Sequence, residues 1–289
     1  MVEYILGNYL VEKGTFTSAQ LRESVEKMDQ VRVKLGLIAV AEGMMTNEQA
    51  EEVNRLQSTM DKRFGDIAVE KGYLTDEQIG NLLKQQGNTY LAFAQVLVDS
   101  GYVKMEDIDG VLEDFRKENG FSRSEMEWLK SDEADRIVPM YLPPEAADFK
   151  ELVGVAVRTI IRCVDRHVYI GKASMTEELA LCSAAMQALE GESGVTAAFL
   201  EGSGGLLQLA SVFGREEFDA INEDSLDAAG EFLNCVDGLY VSPLSQRGVK
   251  LELMPPELVT EQRTIKGKVC RVPVFVNDKE LEFVVMEEQ

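Results

Sequence analysis

Small and apolar residues recur every 29 positions through the first part of the chain. Gly7, Gly36 and Gly65 keep that interval, and Ala94 takes the fourth place. Two further series stay in phase with them: Gly14, Gly43, Gly72 and Gly101, and Val11, Val40, Val69 and Val98. Series that keep one interval together predict an internal repeat of four units.

Each unit reads as a short helix, a glycine stop and a longer helix. The glycines that begin at Gly14 stand where a helix ends in a left-handed residue. Thr17, Thr46 and Thr75 follow three of them, each with a glutamine three positions later, which is the pattern of a capping box. The fourth unit departs from the pattern, as terminal repeats often do. We therefore predict an all-α helical-repeat domain over residues 1–135.

The periodicity lapses between residues 120 and 148, where Pro139 and Pro143-Pro144 are expected to end any helix. After this link the pattern alternates between helical and extended segments. The predicted elements are a helix over 145–166, a hairpin of 182–190 and 195–200, a helix over 204–213, a helix capped by Asn222, a strand over 248–254, and a hairpin of 268–276 and 280–286. This order predicts an α+β domain over residues 145–289, with helices packed on an antiparallel sheet.

The helix capped by Asn222 has two faces of opposite character. Asp227, Glu231, Asn234 and Gly238 fall within about 60° of one another around a helix axis, and we call them the polar stripe. The other side carries Leu226, Ala229, Leu233, Val236 and Tyr240, an apolar face wide enough to bury. A stripe of carboxylates is usually a solvated helix face, so the spacing alone assigns no function to it.

Composition narrows the classes of function. The formal net charge is −22 over 289 residues, and both halves are acidic, which argues against binding nucleic acid or an anionic membrane unaided. The start lacks a basic signal-peptide region, and no uncharged apolar run of membrane-spanning length is present, so we expect a cytoplasmic protein without membrane insertion. The four cysteines stand far apart, which favours free thiols and predicts no metal site.

The repeats carry one family resemblance. Their pattern, Leu-Gly followed by a glycine and then Thr-x-x-Gln, resembles the N-terminal domains of type II secretion and type IV pilus ATPases over roughly residues 1–118. Some members of that group bind cyclic di-GMP through an arginine just before the Leu-Gly pair. In the four units here only Arg63-Phe64-Gly65 keeps that arginine. The resemblance thus makes Arg63 and Gly65 candidate nucleotide-binding residues, and the alternative is a docking or dimerising module.

The second half resembles the CheX/CheC/FliY family of chemotaxis phosphatases over about residues 145–288. The family signature is an acidic or serine residue, then Glu and Asn on the same helix, then a proline a little over twenty residues on. Asp227, Glu231, Asn234 and Pro256 supply it, and Gly238 stands where the family has a glycine. A second Glu-x-x-Asn is missing at Glu151-Leu-Val-Gly154, so the single-site, CheX-like arrangement fits better.

The resemblance implies hydrolysis of the aspartyl phosphate on a CheY-type receiver, with Mg²⁺ supplied by the receiver and no cofactor of the chain's own. It implies that Asn234 positions the attacking water, that Glu231 pairs with a receiver lysine, and that Asp227 and Gly238 lie at the partner contact. It also implies a homodimer with a shared sheet.

Two alternatives stay open from the sequence. One is a non-catalytic, receiver-binding or dimerising adaptor of the same fold. The appended repeats favour it, and so does Asp237, because a charge just before Gly238 is expected to weaken docking of a phosphate-bearing partner. The other is a cyclic di-GMP effector in which the repeats sense the nucleotide, and Arg63 is its main support.

Overall fold

The computed structural model describes residues 1–57, 59–60, 62–191 and 194–287. The chain forms two compact units, Val2–Glu133 and Ala134–Gln289 together with Met1. We call them the N-terminal and C-terminal units. The N-terminal unit is helical over its described residues, and the C-terminal unit combines helices with a curled antiparallel sheet.

The helices of the N-terminal unit are α1 (Val2–Glu12), α2 (Ser18–Met28), α3 (Leu35–Ala41), α4 (Asn47–Gln57), α5 (Phe64–Glu70), α6 (Asp76–Lys84), α7 (Thr89–Asp99), α8 (Ile108–Asn119) and α9 (Arg123–Ser131). A 3-10 turn, Met105–Asp107, precedes α8. In the second and third units of the predicted repeat a seven-residue helix precedes a longer one, whereas α1 and α2 are equally long at 11 residues.

The left-handed glycines are confirmed. Gly14, Gly43, Gly72 and Gly101 have φ angles of 71°, 66°, 71° and 73°, a region that other residues enter only with strain. The capping boxes are confirmed as well: Gln20, Gln49 and Gln78 each donate a backbone N–H to the threonine three positions earlier, and each side chain accepts that threonine's N–H. These local interactions end α1, α3, α5 and α7 beside the four glycines and begin α2, α4 and α6 beside the three threonines.

The other glycine series serves packing between helices. A Cβ added to Gly36 would lie 3.1 Å from the Phe64 ring, and one added to Gly65 would lie 3.3 Å from Ile79 Cγ2. Ala94, in the fourth place, is itself buried. The 29-residue interval therefore repeats a close approach between helices as well as a turn.

The elements of the C-terminal unit are α10 (Ala134–Tyr141), a 3-10 turn (Pro144–Phe149), α11 (Lys150–Cys163), β1 (Val168–Ile170), β2 (Ser174–Leu181), β3 (Ala184–Gly191), β4 (Val195–Glu201), α12 (Gly205–Gly214), α13 (Glu223–Gln246), β5 (Leu251–Leu253), β6 (Glu257–Val259), β7 (Arg263–Val276) and β8 (Lys279–Glu287). The sheet runs β1-β7-β8-β4-β3-β5, with β2 also paired to β7 and β6 also paired to β3. All of these pairs are antiparallel. The turn between β3 and β4 includes residues 192–193, which lie outside the described part of the chain.

Each face of the sheet is covered. Phe199 on β4 pairs with Phe283 on β8 and meets Phe232 of α13 at a ring distance of 5.8 Å, so these residues mark the helix-covered face. On the other face, Leu179 and Ile265 from the ribbon of β2 and β7 pack in one cluster with residues of β3, β4 and β8. Helix α13 therefore lies against β3 and β4 with one side only.

The predicted end of helices at Pro139 is wrong. Pro139 lies inside α10, which runs through the segment expected to be an irregular link. Proline there removes one helical hydrogen bond, and α10 ends two residues later, so little of the helix depends on the missing donor. Burial of Ile137, Val138 and Tyr141 offsets that loss.

A second proline, Pro273, falls within β7 and coincides with the break between β1 and β2. Gly171 donates its N–H to the Pro273 carbonyl at 2.9 Å, and Pro273 has no N–H to return. The pairing with β7 resumes only at Ser174. In the gap, Ala173 donates its N–H to the carbonyl of Tyr141, the last residue of α10, at 2.8 Å.

Candidate active site on helix α13

Helix α13 begins at a capping box. The Asn222 side chain accepts the N–H of Ser225 at 2.9 Å, and the Ser225 hydroxyl accepts the N–H of Asn222 at 2.8 Å. Glu223 and Asp224 lie in the first turn, where carboxylates are favoured by the helix dipole. The helix starts where the sequence predicts and extends over 24 residues, past Pro243 near its end.

The two faces of α13 separate as the pattern predicts. Leu226, Ala229, Leu233 and Val236 are buried with at most 1% of their surface exposed. Asp227, Glu231 and Asn234 are exposed, and Gly238 is half-buried. A Cβ added to Gly238 would have no atom within 4 Å, so the space beside the glycine is open. The structure therefore brings the four predicted residues together on one accessible side of one helix.

The Asn234 amide is held from below by the sheet. Gln187 on β3 donates from its Nε2 to Asn234 Oδ1 at 2.9 Å. The same nitrogen donates to the backbone carbonyl of Met254, just after β5, at 2.7 Å. Asn234 Nδ2 has no protein partner in the described part of the chain, so this donor is available to a ligand or to water.

Sequence reasoning missed Gln187. It lies within Ala-Ala-Met-Gln-Ala-Leu, a largely apolar run in the first strand of the predicted hairpin. Alternation along β3 puts Gln187 on the same face as Ala185, which approaches Gly230 of α13. One amide among apolar neighbours on a buried strand needs a partner. That requirement was the available signal, although it does not reveal which residue the partner is.

Pro256, the distal residue of the predicted signature, contacts the same helix. A Cβ added to Gly230 would lie 3.2 Å from Pro256 Cβ, so the missing side chain lets the segment between β5 and β6 approach α13 closely. Gly230 is buried on the side of α13 that faces the sheet. Pro256 therefore supports the helix from below and is not part of the exposed stripe.

Asp237 does not face a partner. Its side chain has 0% of its surface exposed, and neither carboxylate oxygen has a hydrogen-bond partner among the described residues. Burial raises the pKa of Asp237 to about 8, so the group is mostly protonated at neutral pH. The expectation that its charge weakens docking is therefore wrong, because one step along the helix from Gly238 turns the side chain into the interior.

The thiol beside the stripe is not poised as a nucleophile. Burial raises the pKa of Cys235, and the Glu231 carboxylate raises it further. A thiol with a raised pKa is protonated at neutral pH and reacts poorly. The chemistry that the stripe offers is therefore that of a carboxylate, an amide donor and an open glycine.

The nucleotide-binding candidates lie in the N-terminal unit. Arg63 is exposed at the start of α5, and its backbone N–H donates to Asp66 at 3.4 Å. Gly65 is buried, in the packing position against Ile79 described above. The close helix packing alone accounts for a glycine at this position.

Among the described residues, no helix is long and apolar enough to cross a membrane. Within the same residues, no group of three or more His, Cys, Asp or Glu side chains is arranged to hold a metal ion.

Comparison with known proteins gives similarity in structure alone. No protein-family model and no curated protein matches the chain. Similar solved structures include a chemotaxis protein CheX from Desulfovibrio desulfuricans, with 16% identity and a TM-score of 0.41 over 48% of this chain and 98% of that one. CheX from Vibrio vulnificus matches with 16% identity and a TM-score of 0.42, over 49% and 100% of the two chains.

A third similar structure is a CheX-CheY-BeF3-Mg complex from Borrelia burgdorferi, at 15% identity and a TM-score of 0.41, covering 49% of this chain and 97% of that one. The structural neighbours are thus chemotaxis proteins of the CheX, CheC and FliY type, each covering about half of the chain at low identity.

Proposed function

We propose that the C-terminal unit removes the phosphoryl group from the aspartyl phosphate of a CheY-type receiver domain. The observation that carries the proposal is the exposure of Glu231 and Asn234 within one turn of α13, with the Asn234 amide held from the sheet and its Nδ2 free. The polar stripe contains no serine, cysteine or histidine nucleophile, and hydrolysis of the receiver's aspartyl phosphate does not require one from the phosphatase.

An aspartyl phosphate is a reactive acyl phosphate, and the receiver with its Mg²⁺ supplies most of the charge stabilisation. Water forms the new P–O bond while the P–O bond to the aspartate breaks. The aspartate leaves as a carboxylate, and the phosphate keeps both protons of the water as H₂PO₄⁻. The visiting protein needs only to hold the water in line, which an uncharged amide does without repelling the phosphate oxygens.

The other residues of the stripe have roles in docking. Glu231 provides a carboxylate for a lysine of the receiver, and such a charge-assisted pair fixes orientation as well as adding affinity. Asp227 lies one turn earlier and contacts the rim of the partner. The open space at Gly238 admits the partner's backbone. Because Asp237 is buried, one of the two features that favoured a non-catalytic adaptor does not act at this surface.

The test is dephosphorylation of a CheY-type receiver that has been phosphorylated with a small phosphodonor in the presence of Mg²⁺. We expect Asn234→Ala to lower the turnover rate about 100-fold, because water positioning is lost, while affinity for the receiver changes little. Glu231→Lys should instead weaken receiver binding. Ser242→Ala, at another exposed polar position on α13, is the matched control and should behave like the wild type.

If wild type and Asn234→Ala leave the same amount of phosphorylated receiver, across the receivers tried, the phosphatase assignment is wrong. Binding of the phosphorylated receiver without hydrolysis would then support the adaptor. Calorimetry with cyclic di-GMP at two temperatures tests the third interpretation. A nucleotide sensor should give a binding heat with the wild type that Arg63→Ala removes, and no heat at either temperature would contradict it.

A further inference from the structure

Gln187 is a buried amide in an otherwise apolar strand. Only 1% of its surface is exposed, and its Nε2 donates to both Met254 O and Asn234 Oδ1. Its Oε1 is buried without a partner in the described part of the chain. Leaving a buried acceptor unpaired is unfavourable, so the side-chain oxygen does not explain why a glutamine stands at this position. What the glutamine provides is its pair of donated hydrogen bonds.

These hydrogen bonds decide which atom of Asn234 faces outward. A backbone carbonyl can only accept, so the Gln187 atom beside Met254 O must be the NH₂ group. The second hydrogen of that group points to Asn234, and the Asn234 atom that receives it must be the oxygen. The Nδ2 of Asn234 is therefore directed away from the sheet, as a donor.

The carbonyl that fixes this order is itself held in place. Met254 donates its own N–H to the Ala188 carbonyl at 3.0 Å, next to Gln187 on β3. Pro255 and Pro256 follow it, and each proline ring restricts the backbone. Pro256 also packs against α13 at Gly230. The main chain, Gln187 and Asn234 thus form a series in which each member orients the next.

We propose that Gln187 is a positioning residue for the reaction assigned above, and that it makes Asn234 act on the attacking water as a hydrogen-bond donor through Nδ2. This inference rests on the proposed phosphatase function. A water that accepts from Nδ2 keeps one lone pair for phosphorus, and its two hydrogens remain free to donate to oxygens of the phosphate or the receiver. If the Asn234 amide were flipped, Oδ1 would face the water and accept a hydrogen bond from it, so the water would be the donor.

The kinetic test replaces Gln187 by methionine, which has similar length and cannot donate. We expect Gln187→Met to lower the turnover number about tenfold with the affinity for the phosphorylated receiver unchanged, because Glu231 is untouched. Gln187→Met should add nothing further in an Asn234→Ala background, since Gln187 acts only through Asn234. Gln95→Met is the matched control: Gln95 is a buried glutamine of α7 whose Oε1 accepts the Lys34 N–H.

A drop in stability alone does not account for this pattern, because Gln95→Met also removes a buried amide and should leave turnover unchanged. A turnover number unchanged in Gln187→Met, or a loss shared equally by Gln95→Met, overturns the positioning role. So does a loss from Gln187→Met that is undiminished in the Asn234→Ala background.

A second measurement needs no receiver and separates this inference from the proposed function. In the full chain, side-chain amide hydrogens can be followed by NMR during exchange into D₂O. We expect the Gln187 NH₂ to be protected and the Asn234 NH₂ to exchange at the rate of an exposed amide. Protection of the Asn234 NH₂ would mean that Nδ2 faces inward, and the inference would fail even if the phosphatase activity were present. Absence of activity with the expected exchange pattern would refute the function and leave the orientation standing.

Discussion

At the scale of single residues, Asp237 is an acid in the interior of the C-terminal unit, and its carboxylate has no hydrogen-bond partner among the described residues. Burial raises its pKa from 3.8 to about 8. A raised carboxyl pKa means that the folded state binds the proton more tightly than the unfolded state does. The contribution of this group is therefore most favourable below about pH 4, and stability is lost as the pH rises towards 8.

We expect Asp237→Asn to flatten this pH dependence, because an amide has no proton to lose in this range. The difference in free energy of unfolding between variant and wild type should change by up to about 1.4 kcal/mol per pH unit between roughly pH 4 and pH 8, in favour of the variant as pH rises. Urea unfolding at several pH values measures it. Asp227→Asn, an exposed acid on the same helix, is the control, and parallel curves for Asp237→Asn and wild type would contradict the assignment.

At the scale of elements, two glycines of the N-terminal unit have opposite requirements. Gly72 has a φ of 71° at the end of α5, whereas Gly80 lies inside α6, and an added Cβ would meet nothing within 4 Å at either position. Space is therefore the same at both positions, and only the backbone conformation differs.

We predict that Gly72→Ala destabilises the chain by about 1–2 kcal/mol, because an L-residue is strained in the left-handed region. Gly80→Ala should stabilise it by about 0.5–1 kcal/mol through better helix propensity. Denaturant unfolding of both variants against the wild type gives the two differences. Changes of equal sign would show that the left-handed conformation is not what Gly72 supplies.

The helix ends and the α13 stripe could be predicted because they depend on neighbours in sequence. A left-handed glycine, a Thr-x-x-Gln box and a 3.6-residue period each act within a few positions, and the structure has them where the pattern puts them. The turn at Asn277-Asp278 is of the same kind, with φ angles of 51° and 62° between β7 and β8.

The rest depended on contacts between residues far apart in sequence. The Gln187–Asn234 hydrogen bond joins positions 47 apart, and nothing near either residue indicates the other. The sequence did not predict strand β2 because the middle of this strand is polar. Thr176, Glu177 and Glu178 are exposed or half-buried, so polar and apolar residues do not alternate there as they do in a core strand. The helix period alone places Asp237 on the inward side of α13. Its residue type pointed the other way, because aspartates usually lie at the surface.

At the scale of the whole molecule, net charge governs how the chain meets a partner. With a formal charge of −22, the chain attracts basic surfaces over about a Debye length, and Asp227 and Glu231 add exposed carboxylates at the stripe. Charge of this size affects the rate of encounter more than the strength of the final complex.

We expect the association rate constant with the receiver to fall about tenfold as salt is raised from low to above physiological ionic strength, with a smaller change in the dissociation rate. Stopped-flow binding measures both rates. Glu231→Gln should reduce the slope of the association rate against salt. An association rate that is independent of salt would show that the negative charge does not steer the partner.

The proline within β7 has a consequence for how the C-terminal unit is tied together. Pro273 has no N–H to donate, the pairing with the neighbouring strand is interrupted beside it, and the Ala173 amide in the gap donates to the last carbonyl of α10. The interruption of the sheet beside Pro273 thus leaves room for a hydrogen bond that ties the strands to the helix with which this unit begins.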